Sequence, residues 1–487
     1  MSNPPERLLW IDNRAVDAGA GGRFTTVNPA TGEPLARVAE ADAADVDQAV
    51  ASARAAQPAW AGLSGVERGR VLARAAAAVR DHRDELAWLE CRDAAKPIAE
   101  TPAADVDSAA DCLDYFAGQA GSLQGDYQPV DGGFFYTRPE PLGVCGGIGA
   151  WNYPLQIAAW KAAPALAAGN TLVFKPAELT PLSALRLAEI FAEAGLPPGV
   201  FNVIQGAAAT GEALTCHADV DKISLTGEVS TGKAVMRAAA DTLKAVTMEL
   251  GGKSPLIVCD DAVLDDAVAG ALLGNFYTQG EICTNGTRVY VHERVIDAFL
   301  ERLLERTARL RIGDPAEPST DIGALISKEH GERVLDYIAR GEAEGGERLI
   351  GGEPVTVPGC EAGAFVAPAI FRLADERCVL AREEVFGPVM SVLSFSDEAE
   401  VIRRANDTPY GLAAGVFTTD LQRGHRLAAA LKAGVVWLNH YNLTPIEMPF
   451  GGVGQSGIGR ENSRRALDHY TQLKSVFVAS GGVEAPY

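Results

Sequence analysis

Residues 143–178, GVCGGIGAWNYPLQIAAWKAAPALAAGNTLVFKPAE, hold two short apolar runs, Val144 to Ile148 and Thr171 to Phe174. The first leads into glycine and Asn152, the second into Lys175 and Glu178. Apolar runs of this length, bounded by turn residues, read as buried strands. Similar runs follow at Phe201 to Ile204, Ile223 to Thr226 and Ala245 to Glu249, with helical patterns at Pro181 to Ala194 and Ser230 to Leu243 between them. Such alternation predicts βαβ units and a parallel sheet. A second alternating block starts at Pro255 to Val258 and runs to about residue 460, with strands at Arg288 to Val291 and Val435 to Leu438 and a helix at Val295 to Arg311. Upstream, the first 120 or so residues read as helical after a short entry segment, with helices at Asp42 to Ala59 and Gly65 to Glu90. Gly132 to Thr137 is a β-prone apolar run behind glycines and predicts an exposed strand. A chain of 487 residues exceeds one ordinary core. The fold class is therefore α/β with closely packed domains, and the crevice between them is the expected site.

The 43 Lys and Arg residues against 64 Asp and Glu leave a net charge of −21. A surface that acidic repels phosphate backbones and anionic lipid, which argues against nucleic-acid and membrane partners. It mildly favours a cationic substrate. The first residues show no basic and apolar leader, and no stretch is long and apolar enough to span a bilayer. The eight cysteines are scattered without metal-type spacing, so the expectation is reduced thiols in the cytoplasm and no metal.

Cys283 stands apart from the other thiols. It sits in the polar, glycine-flanked segment Gln279-Gly280-Glu281-Ile282-Cys283-Thr284-Asn285-Gly286, where partial exposure suits a nucleophile. On that evidence alone, a loop cysteine is more often inert. Glu249, at the end of a β-prone run and before Gly251-Gly252, would stand over a crevice at a strand's carboxyl end, where ligands bind in open α/β sheets. It also reads as a surface residue before a turn. Asn152 can offer an amide N–H to a developing oxyanion or cap a turn. Lys175 and Glu178 lie just beyond a strand, a place suited to ribose hydroxyls. Gly227 to Lys233 forms a glycine turn and helix start suited to a pyrophosphate, without the usual dinucleotide fingerprint.

In this order the segments resemble the aldehyde dehydrogenase superfamily over roughly residues 20 to 480. The resemblance includes Trp151-Asn152-Tyr153-Pro154, Lys175-Pro176-Ala177-Glu178, Glu249-Leu250-Gly251-Gly252-Lys253, Gly280 with Cys283, Glu384-Val385-Phe386-Gly387-Pro388, and Pro449-Phe450-Gly451-Gly452 through Arg460-Glu461. It implies a Rossmann-like NAD-binding domain (1–122 and 142–250), an α/β catalytic domain (251–460) and a small β oligomerisation element (123–141 and 461–487). Cys283 would attack the aldehyde, Asn152 would hold the oxyanion, and Glu249 would activate water, with Lys161 and Glu461 exchanging its proton or simply pairing with each other. NAD, in preference to NADP, would be held by Ala150, Trp151, Lys175, Glu178, Gly227, Ser230, Leu250, Glu384 and Phe386. The segments around Cys283 and Trp437 to Asn442 are similar to those of betaine-aldehyde, trimethylaminobutyraldehyde and aminoaldehyde dehydrogenases. In that group Tyr153, Trp160 and Phe450 would wall an ammonium pocket, or else a generic apolar funnel. Val453, Gly454, His440 and Leu443 depart from the pattern. A broad-specificity, succinic-semialdehyde or CoA-dependent semialdehyde dehydrogenase, or a silent binding protein on the same fold, stand as alternatives. Phe134 to Tyr136 and Leu473 to Val478 resemble oligomerisation strands, which implies a homo-oligomer, a dimer or a dimer of dimers (a homotetramer).

Overall fold

The computed structural model describes residues 4–487. Two large sheets dominate it. The first has eight strands in the order Gly457–Ile458, Ala245–Glu249, Lys222–Thr226, Val144–Ile148, Thr171–Lys175, Phe201–Val203, Leu9–Ile11, Arg14–Val16. The five strands from Ala245–Glu249 to Phe201–Val203 pair in parallel, and antiparallel strands close both edges. Val144–Ile148 opens the parallel set, and the chain then grows outward on one side before returning to add Lys222–Thr226 on the other. That reversal leaves a crevice beyond the carboxyl ends of the two strands. The second sheet has seven strands, from Glu347–Ile350 through Ala369–Arg372, Val389–Phe395, Arg288–His292, Pro255–Val258 and Ala413–Phe417 to Val435–Leu438, all parallel but the first. Thr471–Ala479, Gly133–Pro141 and Tyr127–Val130 form a separate antiparallel sheet. No helix among the described residues is long and apolar enough to cross a membrane.

The α/β class and the five parallel strands of the first sheet follow the sequence reading within a residue or two. Four expectations are corrected. The entry segment is not short: five strands lie between Glu6 and Ala39. Among them, Leu9–Ile11 and Arg14–Val16 are joined by Asp12 and Asn13 at φ of 59° and 53°, the two left-handed residues that a tight hairpin turn uses. The stretch Gly65 to Glu90 is two helices, Gly65–Asp81 and Arg83–Ala94, parted at His82 where ψ is 17°. Ser64 begins the first with a capping box to Glu67. The helices expected to run to Leu243 and Arg311 end at Ala239 and Thr307, the former tightening into a 3₁₀ turn. Gly133–Pro141 is mostly half-buried, because Thr471–Ala479 pairs along its whole length.

Candidate active site

The carboxyl ends of the first sheet converge on one cavity of about 1960 Å³ that reaches across to the second sheet. Each residue expected at the site lines it, Lys161 excepted. Glu249 is the last residue of its strand, held between Thr226 on one side and Gly457 on the other. Its side chain is buried, and neither carboxyl oxygen has a hydrogen-bond partner. Burial, then the charge of Glu461, pushes this carboxyl well above the usual range. Gly451 makes room for it: a Cβ there would come within 2.5 Å of Glu249 Oε1.

Cys283 is half-buried, in the loop that follows the helix Leu264–Phe276. Burial raises its thiol pKa, with the charges of Glu384 and Glu249 acting in the same sense, while the backbone N–H groups of Cys283 and Thr284 favour the thiolate. Thr278 and Gln279, ahead of it in the loop, both adopt left-handed φ (49° and 52°), which no sequence pattern announced. Asn152 is buried just before the helix Pro154–Ala168, and its amide donates one N–H to Glu281 O at 2.8 Å. Its second N–H has no acceptor among the described residues. Tyr153 precedes the same helix, and Trp160 and Lys161 lie about two turns along it. Trp160 meets Phe450 edge to face, centroids 5.3 Å apart. Lys161 points instead to Glu461 at 2.5 Å and Ser224 at 3.1 Å, and Glu461 shares a two-bond bridge with Phe450. The pair reaches Glu249 through charge, with no direct hydrogen bond.

Along the other arm of the cavity, Ala150 and Trp151 follow the strand Val144–Ile148, and Lys175 ends the neighbouring strand. Lys175 Nζ donates to Pro176 O at 2.9 Å and stands 3.4 Å from the half-exposed Glu178 carboxylate. Burial lowers the lysine pKa. Gly227 and Ser230 flank the start of the helix Val229–Ala239, which has no side-chain cap, so its first N–H groups are free to meet an anion. Leu250 presses on Gly232, where a Cβ would meet it at 2.6 Å. Glu384 accepts from Gly252 N at 3.1 Å, and burial pushes its carboxyl up to about 7. Phe386 (φ 57°) meets Trp151 edge to face, and its carbonyl lies 2.7 Å from His330 Nε2. His330 lies far from these segments in the chain, and its part in the site had no sequence signal.

Asp107, Asp111, Asp114 and Glu447 also line the cavity, as does Arg80. Arg80 bridges Asp111 and Asp114, and Arg83 bridges Asp107.

Comparison with known proteins agrees with this layout. The aldehyde dehydrogenase family model matches residues 16–476. A betaine aldehyde dehydrogenase of Vibrio vulnificus is 54% identical over 98% of this chain and 99% of its own. One of Sinorhizobium fredii is also 54% identical, over the full length of both. Among solved structures, an NAD-dependent aldehyde dehydrogenase of Sinorhizobium meliloti superposes with a TM-score of 0.97 at 38% identity, covering 99% of this chain and 97% of that one. An NAD+ complex of an aldehyde dehydrogenase of Bacillus cereus does so with a TM-score of 0.95 at 43% identity, covering 98% and 97%. The strand-end crevice, the thiol and carboxyl that face it and the match along nearly the whole sequence together place this chain in the aldehyde dehydrogenase family.

Proposed function

We propose that this enzyme oxidises betaine aldehyde, or a close ω-ammonio aldehyde, to its carboxylic acid with NAD. The observation that carries the reading is the buried Glu249 carboxyl, unpartnered and facing the same cavity as the Cys283 thiol and the Asn152 amide. Buried polar groups normally have partners, so an orphan aimed into a cavity points to a water or a substrate.

The Cys283 thiol gives up its proton to solvent, its sulfur bonds to the aldehyde carbon, and the carbonyl oxygen takes the electron pair. The free N–H of Asn152 and the backbone N–H of Cys283 hold that oxyanion. NAD, when bound, supplies the hydride acceptor that lets the carbon become a thioester. Glu249 then removes a proton from water as the oxygen attacks the thioester, the carbon–sulfur bond breaks to release the acid, and the departing thiolate takes that proton back. The raised pKa of Glu249 suits a base working near neutral pH. Lys161 and Glu461 form an ionic pair close enough to bias its charge. The residues present fit NAD: the uncapped helix at Val229 suits the pyrophosphate, and the Glu178 carboxylate favours ribose hydroxyls over a 2′-phosphate.

For the substrate, Tyr153, Trp160 and Phe450 line the cavity with aromatic rings, and Asp107, Asp111, Asp114 and Glu447 add carboxylates to it. Cation–π attraction to such a wall is worth about 2 kcal/mol once desolvated. Relatives named betaine aldehyde dehydrogenases at 54% identity support the same choice. NADH formation with betaine aldehyde, 4-trimethylaminobutyraldehyde, 4-aminobutanal, succinic semialdehyde and simple alkanals, each with NAD and NADP, tests it. A highest kcat/KM with succinic semialdehyde would overturn the substrate, and activity in Cys283→Ala would overturn the mechanism. The same reading divides the chain into the cofactor, catalytic and oligomerisation parts bounded at residues 122, 142, 250 and 460, and makes the enzyme a cytoplasmic homo-oligomer. Its eight cysteines, all unpaired, suit a reducing compartment.

A further inference from the structure

Tyr153 is held from two directions by groups outside the reaction. Lys96 Nζ lies 4.3 Å from its ring centroid and pairs with the buried carboxylates of Glu90 and Asp105. Glu90 also accepts from Leu155 N at 3.2 Å, in the first turn of the Tyr153 helix. Asp105 belongs to the π-helical turn Pro102–Asp107, a widening that recurs beside functional sites. At the ring's edge, the Tyr153 hydroxyl is 2.7 Å from Thr278 Oγ1, and Thr278 Oγ1 donates to Glu100 Oε2 at 3.1 Å. A hydroxyl that donates its one proton to Glu100 must accept from the phenol, so the chain runs from Tyr153 to Thr278 to Glu100. The backbone N–H of Thr278 donates to the same carboxyl oxygen at 3.1 Å.

Thr278 is also the first of two consecutive left-handed residues in the segment that delivers Cys283. Residues with a Cβ hold that conformation only where the surroundings impose it. Glu100 does so, and it satisfies a buried N–H that would otherwise be orphaned. Farther along the segment, Glu281 O accepts from the Asn152 amide. The Tyr153 wall and the turn before the thiol are thus joined through one buried acceptor, and the Asn152 amide meets the same segment at Glu281.

We propose that Glu100 is a positioning residue: through Thr278 it fixes both the Tyr153 wall and the turn that aims Cys283. The inference rests on Cys283 as nucleophile and Tyr153 as part of the substrate wall. What Glu100 provides is a hydrogen-bond acceptor, so glutamine, which keeps one acceptor oxygen, preserves the function and alanine does not.

The test uses the full-length enzyme with NAD. Its readouts are kcat/KM for betaine aldehyde and for its uncharged carbon isostere 3,3-dimethylbutanal, and the rate at which iodoacetamide alkylates Cys283, followed by mass spectrometry of that peptide. Glu100→Ala is expected to lower kcat/KM about 30-fold with both aldehydes and to slow alkylation about tenfold, since misplacement of the order of an ångström has effects of this size. Glu100→Gln is expected to stay within about threefold of the parent on all three readouts. Thr278→Val releases the phenol but leaves the backbone bond to Glu100. It should lose about tenfold with betaine aldehyde, less with the isostere, and keep the parent alkylation rate. A folded Glu100→Ala with parent rates overturns the proposal, as does an equal loss in Glu100→Gln, which would mean that charge is what matters. If Glu100→Ala does not fold, parent behaviour of Thr278→Val towards both aldehydes overturns it. Failure of the underlying reading would show separately, as activity in Cys283→Ala or as a parent enzyme that prefers the isostere.

Discussion

At the scale of single residues, Glu249 is the base we propose for the thioester, and its pKa gives a measurable sign. Burial and the neighbouring Glu461 favour its protonated form, so it takes up a proton at higher pH than a free carboxylate does. As pH falls through that raised value the base is lost, and kcat falls with it. Glu249→Gln should remove this pH dependence and lower kcat by about 10²- to 10⁴-fold, the range for a lost general base. A burst of NADH with little further turnover is the expected rapid-mixing signature. Glu249 and Cys283 were legible because each sits in a local pattern: a strand end before glycines, and a thiol in a polar loop. Glu100, Thr278 and His330 were not. Glu100 and Thr278 lie 178 residues apart, and neither has a neighbour in sequence that hints at the other.

At the scale of elements, the site is made by strand ends and the turns that leave them. Gly280 lies where the Cys283 loop crosses the turn at Phe386 to Pro388. With φ at 79° and a would-be Cβ only 2.4 Å from the Gly387 carbonyl group, it has no room for a side chain. Gly280→Ala should cost about 1–2 kcal/mol for the left-handed backbone alone, and more for the contact with Gly387. The expected outcome is a Tm lower by several degrees and slower alkylation of Cys283, read by calorimetry and mass spectrometry. The parallel strands of the first sheet were legible because both faces are covered, which leaves uninterrupted apolar runs. The short hairpin at Leu9 to Val16 was not. Its strands are three residues each, too few for periodicity to register, and they form because the first sheet leaves an edge for them at Phe201–Val203.

At the scale of the whole molecule, charge and edges set the expectations. A net charge of −21 and the carboxylates that line the cavity should steer cationic aldehydes toward it. Raising ionic strength should therefore lower kcat/KM for betaine aldehyde more than for 3,3-dimethylbutanal, and equal slopes in a salt series would remove steering from the account. The separate sheet presents its strand Thr471–Ala479 at an edge, with Leu473 and Phe477 exposed. Such an edge invites pairing with a second copy. Joint substitution of Leu473→Glu and Phe477→Glu should shift the enzyme to a smaller species in light scattering, with each protomer still folded.

By itself the sequence determined the α/β class, the parallel strands of the first sheet and the kinship of the chain, and it singled out the thiol, the carboxyl and the amide that the proposed mechanism uses. These are readable because strand burial, turn chemistry and reactive residue types leave their mark within a few consecutive positions. Only the tertiary structure decided which of them face one another: that Glu249 stands unpartnered in a cavity shaped by Gly451, that Lys161 turns to Glu461, and that Glu100 grips the turn before Cys283. The physical reason is that hydrogen bonds and desolvation act across a few ångströms of space, whatever the separation along the chain, and those distances exist only once both sheets have packed.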